Sequence, residues 1–422
     1  MKPKPPAPSP PLPIEVWGQI FEKIDSPLDL MRARRVCKRW NEEINRVLPF
    51  ANWKKLCFRE IGVFSLSSIA AVVQPTLPKA NYREIEDQNF WRDVYYHYKK
   101  WLKITKLPIQ TASPSNKLLL SNHEHITCFD TWGVWTMYGS NIGRIYILED
   151  DGHRKRRRAI DLHGPIDEVK IWHSDNDQFL FFAVTQLKTI HIGYPQINIT
   201  LRGHKVCTGT ANNLYYMQDN ILIKLKPTPP TVGVTLTITL NFNLDEQIVA
   251  ISSRESKIFL VVQAEAQLRI FTIEDESLRK EEPMFQVLSI VEVPSLPVVS
   301  PNMRIYVTLN STIICLINEN MYLHTPETDF WVIHDQSKYF EAKVTSLIVH
   351  GNYLILGLSN GTLSMYYVEG TDNLLNPNLF GKQPVITRKL NSLPIIAIKV
   401  ADVHGNIHIT VFSPMNMFTL IF

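Results

Sequence analysis

The sequence has few cysteines for its length, and their arrangement suits neither a disulfide framework nor a metal site. The chain of 422 residues contains five, scattered at Cys37, Cys57, Cys128, Cys207 and Cys315. There is no Cys-x-x-Cys pair, and no histidine stands at the spacing that a zinc site needs. We therefore expect a reducing compartment, the cytoplasm or the nucleus, and no metal or other cofactor.

Long hydrophobic runs are also missing. No segment of about 18 apolar residues could span a bilayer, and the opening MKPKPPAPSP lacks the apolar stretch of a signal peptide. Residues 1–11 contain six prolines, each without an N–H and fixed in φ, so we expect a disordered, solvated tail. A ligand for a proline-binding domain is the alternative for this tail, and no membrane association is expected.

Beyond the first sixty residues the chain has no excess of either charge. Residues 1–60 contain 12 Lys and Arg against 7 Asp and Glu, and the remainder contains 32 against 33. A protein that coats nucleic acid normally needs a basic face to displace counterions. Nucleic-acid binding by the larger part of the chain is therefore not the expected main task.

Recognisable catalytic motifs are absent. The sequence has no G-x-S-x-G, no H-E-x-x-H, no P-loop and no dinucleotide fingerprint. The thirteen histidines fall mostly in loops and at strand ends, where surface or packed histidine is the ordinary explanation. We expect a protein without catalytic activity of its own.

The length and composition that are present favour two folded units. A chain of 422 residues, 45% hydrophobic and 20% charged, is too long for one ordinary core unless that core is a repeat or a closed β structure. The composition is typical of globular proteins.

The segment that follows the proline tail reads as three short helices. Leu12, Val16, Ile20 and Phe21 form an apolar stripe at helical spacing. Ser26 followed by Pro27 suits the N-cap of a second helix. A third apolar stretch runs from Cys37 through Trp40 and Ile44. So few residues cannot bury all of this apolar surface themselves, so we expect either a partner protein or a helical cap on the following domain.

Residues 12–57 resemble an F-box over about 46 residues, reading LPIEVWGQIFEKIDSPLDLMRARRVCKRWNEEINRVLPFANWKKLC. The resemblance implies that residues 12–60 dock on an adaptor of the Skp family, which links to cullin and RING subunits. It assigns the adaptor contact, or its immediate support, to Leu12, Pro13, Val16, Ile20, Leu28, Leu30, Val36, Cys37 and Trp40.

A basic cluster lies within this F-box-like segment, at Arg32, Arg34, Arg35, Lys38 and Arg39. It could face an acidic adaptor surface and speed association. A nuclear localisation signal and an ordinary solvated helix face are the alternatives.

Residues 61–115 are expected to form a helical linker. An aromatic stripe at helical spacing predicts a helix from Tyr82 to Leu102. The stripe comprises Phe90, Trp91, Tyr95, Tyr98 and Trp101, with Val94. We interpret it as the seam between the F-box-like segment and the next domain.

Residues 116–422 predict an all-β domain of repeated short strands separated by turn residues. Units begin near Ile126, Val169, Val206, Ile248, Val298, Val344 and Ile395. Seven such units favour a seven-bladed propeller. The segment Val344–Gly370 resembles a WD repeat in which Tyr366 and Tyr367 stand where the family has Trp and Asp, so the propeller is degenerate, and the unit near Val298 has the weakest pattern.

Two further expectations concern the propeller. Lys117–Ser121 resembles an outer strand that completes the last blade together with the C-terminal Met417–Phe422. The loops that lead into each blade's first strand are the expected substrate surface, with His123, His125, Arg202, His204 and Lys205 as its candidate residues. Of these, Arg202, His204 and Lys205 could pair with a phosphate or carboxylate.

The run His153–Arg158 is the strongest basic stretch of the large domain. Its position after Glu149–Gly152 predicts a hairpin turn between a third and an outer strand. A solvated hairpin, an anion-binding surface and a nuclear import signal are all consistent with it.

The resemblance implies a substrate-recognition subunit of an SCF-type ubiquitin ligase, in which the propeller binds a protein of unknown identity. A propeller scaffold without ligase function is the alternative, and a nucleic-acid-binding propeller that uses the basic turn is a third. Loss of adaptor binding on Leu12→Ala with Pro13→Ala would separate the first from the others.

Overall fold

The structure is a computed structural model that describes most of the chain beyond the proline-rich residues 1–11. It covers residues 12–74, 82–112, 120–132, 135–150, 155–162, 164–173, 180–193, 197–208, 213–228, 231–239, 246–254, 257–264, 267–274, 285–292, 303–308, 312–325, 330–403 and 405–422. The predicted proline-rich tail lies outside the described residues, as do Val298, His153, Arg154 and His163.

Six helices precede the β domain in the described part of the chain. They are α1 (Ile14–Glu22), α2 (Pro27–Ala33), α3 (Lys38–Val47), α4 (Trp53–Glu60), α5 (Val63–Val73) and α6 (Gln88–Trp101). Ser26 is the N-cap of α2, where its hydroxyl accepts from the Asp29 backbone N–H at 3.4 Å. Asn52 caps α4 through the Lys55 N–H at 2.9 Å. The predicted three-helix segment and the linker helix are both present.

Helix α6 belongs to two hydrophobic cores. Phe90, Trp91, Val94, Tyr95 and Tyr98 pack in one core with the buried side chains of α1 to α5. Trp101, in the last turn, packs instead with side chains of the sixth and seventh blades of the β domain. The aromatic stripe is therefore the seam that the sequence predicts.

The β domain consists of seven four-stranded antiparallel sheets in the described part of the chain. In chain order the strands are β1 (Gln110–Ala112), β2 (Ile126–Trp132), β3 (Trp135–Ser140), β4 (Arg144–Asp150), β5 (Lys155–Asp161), β6 (Glu168–His173), β7 (Leu180–Gln186), β8 (Thr189–Gly193), β9 (Ile197–Arg202), β10 (His204–Thr208), β11 (Leu214–Gln218), β12 (Ile221–Thr228), β13 (Thr231–Thr239), β14 (Glu246–Arg254), β15 (Lys257–Ala264), β16 (Gln267–Glu274), β17 (Phe285–Glu292), β18 (Arg304–Val307), β19 (Ile313–Ile317), β20 (Asn320–His324), β21 (Val332–Asp335), β22 (Val344–His350), β23 (Tyr353–Leu358), β24 (Thr362–Tyr367), β25 (Ile386–Lys389), β26 (Ala397–Val403), β27 (Asn406–Phe412) and β28 (Met417–Ile421). A short helix, α7 (Thr371–Leu374), lies between β24 and β25. This architecture is a seven-bladed propeller.

The blades follow one order, in which four consecutive strands run from the inner to the outer edge. Blade one is β2 to β5, and each later blade takes the next four strands up to β22–β25 in blade six. Because neighbouring strands alternate in direction, loops that lead into inner strands share one face with the turns between second and third strands. We call this the upper face, and the face with the turns between first and second strands the lower face.

The seventh blade closes the ring with strands from both ends of the β domain. β28 pairs with β27 on one side and with β1 on the other, through Gln110 opposite Ile421. Closure by an N-terminal strand is thus as expected, but the strand is β1 and not Lys117–Ser121, of which residues 117–119 lie outside the described part. β1 lies before residue 116, where the β domain was predicted to begin. The sequence did not reveal it, because three residues are too few to show a strand pattern.

Two other expectations need correction. The inner strand of blade five, β18, begins at Arg304 rather than near Val298. The predicted hairpin between a third and an outer strand is present as β4 and β5, but Lys155 to Arg158 lie in the outer strand itself and not in the turn, with Arg158 opposite Ile147 of β4. Successive arginines in that strand point to opposite faces, so each face can carry its charges in solvent.

No helix in the described ranges combines the length and the apolar character that crossing a membrane requires.

Candidate functional site

Helix α1 presents an apolar stripe on its outer side. Leu12, which precedes the helix, is 49% exposed and Ile20 is 39% exposed, with Val16 half-buried between them. These three positions share one side because they are four residues apart. An exposed aliphatic stripe on a well-packed helix is the type of surface that a partner protein covers.

The other side of α1 is held by an aromatic cluster. Trp17 and Phe21 pack against Trp40 of α3, with ring centroids 4.5 Å and 5.2 Å from it. Leu30 of α2 is fully buried in the same core. Of the predicted docking positions, Trp40 and Leu30 therefore pack in the core and support the exposed surface of α1 without being part of it.

The remaining predicted docking positions lie at or near the surface. Pro13 is exposed and is the N-cap residue of α1, while Leu28 is half-buried in the first turn of α2. Val36 is 64% exposed, and Cys37, the N-cap residue of α3, is exposed beside it. Val36 and Cys37 lie where α2 gives way to α3, so side chains of all three helices contribute to the exposed apolar surface.

Phe50 is an exposed aromatic residue that sequence reasoning did not single out. Its side chain is 83% exposed, at the end of a single 3₁₀ turn that follows α3. No periodic pattern marks it, because a three-residue turn has no repeating face. An exposed phenylalanine adds apolar area that a partner could bury.

The basic cluster of α2 and α3 is partly paired. Arg32 forms an ion pair with Asp29 at 2.9 Å, and the Arg34 guanidinium donates to the Asn41 side-chain oxygen at 3.0 Å. Arg35, Lys38 and Arg39 are exposed. The cluster thus keeps cationic side chains at the edge of the helical surface, where they can influence association rates.

His123 and His125 lie in an ordered loop on the upper face of blade one. The His125 backbone N–H donates to the Asn141 side-chain oxygen at 2.8 Å, and the Asn141 amide donates to the His123 carbonyl at 3.1 Å. Between them, the buried Glu124 accepts from the Tyr146 hydroxyl at 2.9 Å. Both histidine side chains are exposed, so the loop is fixed while its imidazoles face solvent.

Arg202, His204 and Lys205 lie on the upper face where blade two meets blade three. Arg202 ends the outer strand β9 and contacts Asp219 at 3.6 Å. His204 begins the inner strand β10, and burial, followed by the charge of Lys205, lowers its pKa. The structure therefore brings these three residues together, but it places them two blades away from the His123–His125 loop.

The helical module is attached to the opposite, lower face of the propeller. The Ser68 hydroxyl of α5 accepts from the Gly351 N–H at 2.9 Å, and the Trp101 indole N–H of α6 donates to the His350 carbonyl at 3.1 Å. Ser65 also bonds to Asn352. His350–Asn352 form the turn between β22 and β23, which is a lower-face turn.

A buried polar chain crosses this seam. The His97 imidazole of α6 contacts the Asp402 carboxylate at 2.7 Å through Nδ1 and the His350 imidazole at 3.3 Å through Nε2. Burial, followed by the charge of His97, lowers the pKa of His350 far below its ordinary value. His350 is therefore neutral, and the chain joins α6 to two separate blades.

The buried cysteines have no reactive character. Burial raises the pKa of Cys57, Cys128 and Cys315 to about 12, with smaller contributions from nearby acidic groups for the first two. A thiol with such a pKa stays protonated and is a poor nucleophile. Within the described residues, no group of three or more His, Cys, Asp or Glu is arranged to hold a metal ion.

Comparison with known proteins gives one family match and a set of similar solved structures. Residues 11–59 match the family model described as F-box-like. No match is found among the curated proteins. Many solved structures match; one is the crystal structure of the RRP9 WD40 repeats, which is 11% identical with a TM-score of 0.48 and covers 74% of this chain and 96% of that one.

One chain thus contains an apolar helical surface and a closed propeller. Helices α5 and α6 attach the helical module to the lower face of the propeller. Modules of these two kinds are typically interaction modules without catalytic activity. The chain carries an F-box-like domain at residues 11–59, followed by a seven-bladed β-propeller, as expected of an F-box/WD-type protein.

Proposed function

We propose that this protein is the substrate-recognition subunit of an SCF-type ubiquitin ligase. The F-box-like domain docks a Skp-family adaptor, and the propeller binds the protein that is to be ubiquitinated. The observation that carries the proposal is the F-box-like domain itself, matched over residues 11–59, because domains of this kind generally bind Skp-family adaptors.

The exposed apolar side chains of the helical module support the adaptor role. Leu12, Ile20 and Val36 remain between 39% and 64% exposed although the core beneath them is fully packed. Burying apolar surface contributes about 25 cal/mol for each Å² removed from water. An adaptor that covers this surface gains affinity without any rearrangement of the core.

The attachment of the two modules supports the receptor role. Helix α6 has 14 residues and spans about 21 Å at 1.5 Å per residue, and its ends belong to different cores. The propeller is held by its lower face, so its upper face points away from the helical module. A bound substrate is then held at a set distance from the adaptor, as transfer of ubiquitin by other subunits requires.

The upper face is the proposed substrate surface. Arg202 and Lys205 supply positive charge, and His123 and His125 supply imidazole donors from an ordered loop. His123 and Lys205 both have positive φ, at 72° and 53°, a conformation that is uncommon outside glycine. Ordered, partly strained loops with exposed polar side chains are typical of recognition surfaces.

Affinity capture from cells tests the proposal. We expect the tagged full-length chain to retain a Skp-family adaptor together with a cullin, and the double variant Leu12→Ala with Pro13→Ala to lose both. Leu187→Ala is the matched control, because Leu187 is 72% exposed on the propeller and its loss should leave adaptor capture unchanged.

The same experiment separates the alternative of a scaffold without ligase function. A scaffold would retain propeller-binding proteins but no cullin, and the double variant would capture the same set as the unaltered chain. Either result would overturn the proposal.

A further inference from the structure

The inner strands of the propeller surround a cavity whose floor is helix α5. The cavity has a volume of about 560 Å³, and α5 lines it with Ser67, Ala70, Ala71 and Gln74. Pockets that hold small molecules are typically about 300–1,000 Å³. The small side chains of α5 let the helix approach the blades closely while leaving this space open.

Two lysines from different blades line the cavity. Lys399 of blade seven contacts the Asp130 carboxylate of blade one at 3.2 Å, and Lys170 of blade two contacts Glu168 at 3.2 Å. The second oxygen of Asp130 accepts from the Ile171 N–H at 3.0 Å. Asp130 is therefore held between blades one, two and seven, and its charge also acts on Lys170.

Both lysines keep hydrogen-bonding capacity. Burial alone would lower the pKa of Lys170, but the carboxylates of Glu168 and Asp130 outweigh burial and raise it above its ordinary value. An ammonium group has three N–H donors, and each lysine makes one ion pair to a described carboxylate. Further donors remain for a ligand oxygen.

The rest of the cavity wall is part apolar and part polar. Its apolar members include Phe129, Ile171, Ile251, Tyr306, Leu347 and Ile398, and its hydroxyl groups include those of Thr131, Thr208, Ser252, Ser253 and Ser346. A wall that combines apolar side chains with convergent polar groups suits a ligand that has both an apolar body and a polar head.

We propose that this cavity binds a small organic carboxylate. Lys170 and Lys399 hold its carboxylate group, and its apolar body lies against the cavity wall. A ligand in this position contacts the blades and α5 at once, so it tightens the seam between the helical module and the propeller. The proposal does not depend on the ligase function, and it fails or stands separately from it.

Calorimetric titration of the full-length chain with 2-naphthoate tests the proposal, because this compound combines an aromatic body with a carboxylate. We expect saturable binding with a Kd below about 1 mM. The neutral isostere 2-naphthamide should bind at least about tenfold more weakly, since it has no negative charge to pair with the ammonium groups. Inorganic phosphate, which has no apolar body, should also bind more weakly than naphthoate.

Three variants assign the site. Lys399→Met and Lys170→Met should each weaken naphthoate binding about tenfold or more, and Lys399→Arg should restore most of it by keeping the charge. Lys257→Met is the matched control, because Lys257 is a half-exposed, ion-paired lysine of β15 outside the cavity. The Lys257→Met chain should bind naphthoate with the same affinity as the unaltered chain.

Three results would overturn the proposal. They are no saturable binding of naphthoate, equal affinity for naphthoate and naphthamide, and unchanged affinity in a folded Lys399→Met chain. If Lys399→Met does not fold, naphthoate affinity is compared between Lys399→Arg and Lys170→Met at equal melting temperature. Equal affinity of these two variants would then overturn the proposal.

Discussion

At the scale of single residues, His334 is a titratable group buried in an apolar setting. It is 1% exposed, and its ring lies 4.8 Å from that of Phe380 in an edge-on arrangement. Neither ring nitrogen has a hydrogen-bond partner among the described residues. Burial lowers the pKa of His334 from 6.5 to about 4.

This burial predicts a loss of stability in mild acid. The unfolded chain takes up a proton at His334 below pH 6.5, whereas the folded chain does so only near pH 4, so the free energy of unfolding falls across that interval. The contribution amounts to about 3 kcal/mol when complete. His334→Leu should remove it, and urea unfolding at pH 7 and pH 4.5 measures the difference.

His125→Gln is the control for this prediction, since His125 is exposed. This substitution should leave the pH dependence of the free energy of unfolding unchanged. An equal acid sensitivity of His334→Leu and the unaltered chain would show that His334 titrates normally in the folded state.

The sequence could identify apolar side chains but not which of them stay exposed. The spacing of Leu12, Val16 and Ile20 predicted a shared face, and the structure leaves Leu12 and Ile20 exposed and Val16 half-buried. Leu30, assigned by the same resemblance, is fully buried, and the exposed Phe50 was not singled out. Burial depends on how α1 to α3 pack together, which spacing within one helix does not determine.

At the scale of elements, the seam depends on a glycine in the turn between β22 and β23. Gly351 has φ +53°, and a Cβ at this position would meet the indole ring of Trp101. Gly370, in the same blade, has open space around its Cα. The two glycines therefore form a matched pair.

Gly351→Ala should destabilise the seam by about 1–3 kcal/mol, because alanine adds both backbone strain and a clash with Trp101. Gly370→Ala should be close to neutral. Hydrogen exchange of the α6 amides, together with the urea midpoint, measures the effect. Equal protection of α6 in the two variants would mean that the contact between Gly351 and Trp101 does not hold the modules together.

Elements with a long periodic pattern could be predicted from the sequence, and short ones could not. The aromatic stripe predicted α6 and its end to within one residue, because seven buried side chains repeat at helical spacing, but the helix begins at Gln88 and not at Tyr82. β1 has three residues and no pattern of its own, so its place beside β28 follows only from the closed ring. The start of β5 was assigned to the hairpin turn, because its run of basic residues hides the strand pattern.

At the scale of the whole molecule, β28 joins the two ends of the propeller. It pairs with β27 and β1 together, and its Phe418 and Leu420 are buried. Removing large buried side chains costs about 2–5 kcal/mol each, and a propeller without closure exposes strand edges.

Deletion of Phe418–Phe422 should therefore open the ring and make the protein precipitate or melt at a much lower temperature. Met415→Ala is the control, because Met415 lies in the same blade but is 42% exposed. A truncated chain with unchanged solubility and melting temperature would contradict closure by β28.

The cavity between the inner strands could not be predicted from the sequence. Lys170, Lys399 and Asp130 come from three blades and are far apart along the chain, so no local motif connects them. The same holds for His97, His350 and Asp402 at the seam. Seven repeated units could be recognised, but which side chains meet at the ring axis depends on closure.

The exposed apolar face of the F-box-like domain is the proposed docking surface for a Skp-family adaptor. The most direct test is the affinity of the purified full-length chain for a purified adaptor, measured by calorimetry for the unaltered chain and for Ile20→Asp with Val36→Asp. Leu187→Asp on the propeller is the control. We expect the double variant to bind at least about a hundredfold more weakly, about 2.7 kcal/mol, and the control to bind normally. Equal affinity in all three, or no adaptor binding by the unaltered chain, would contradict the account.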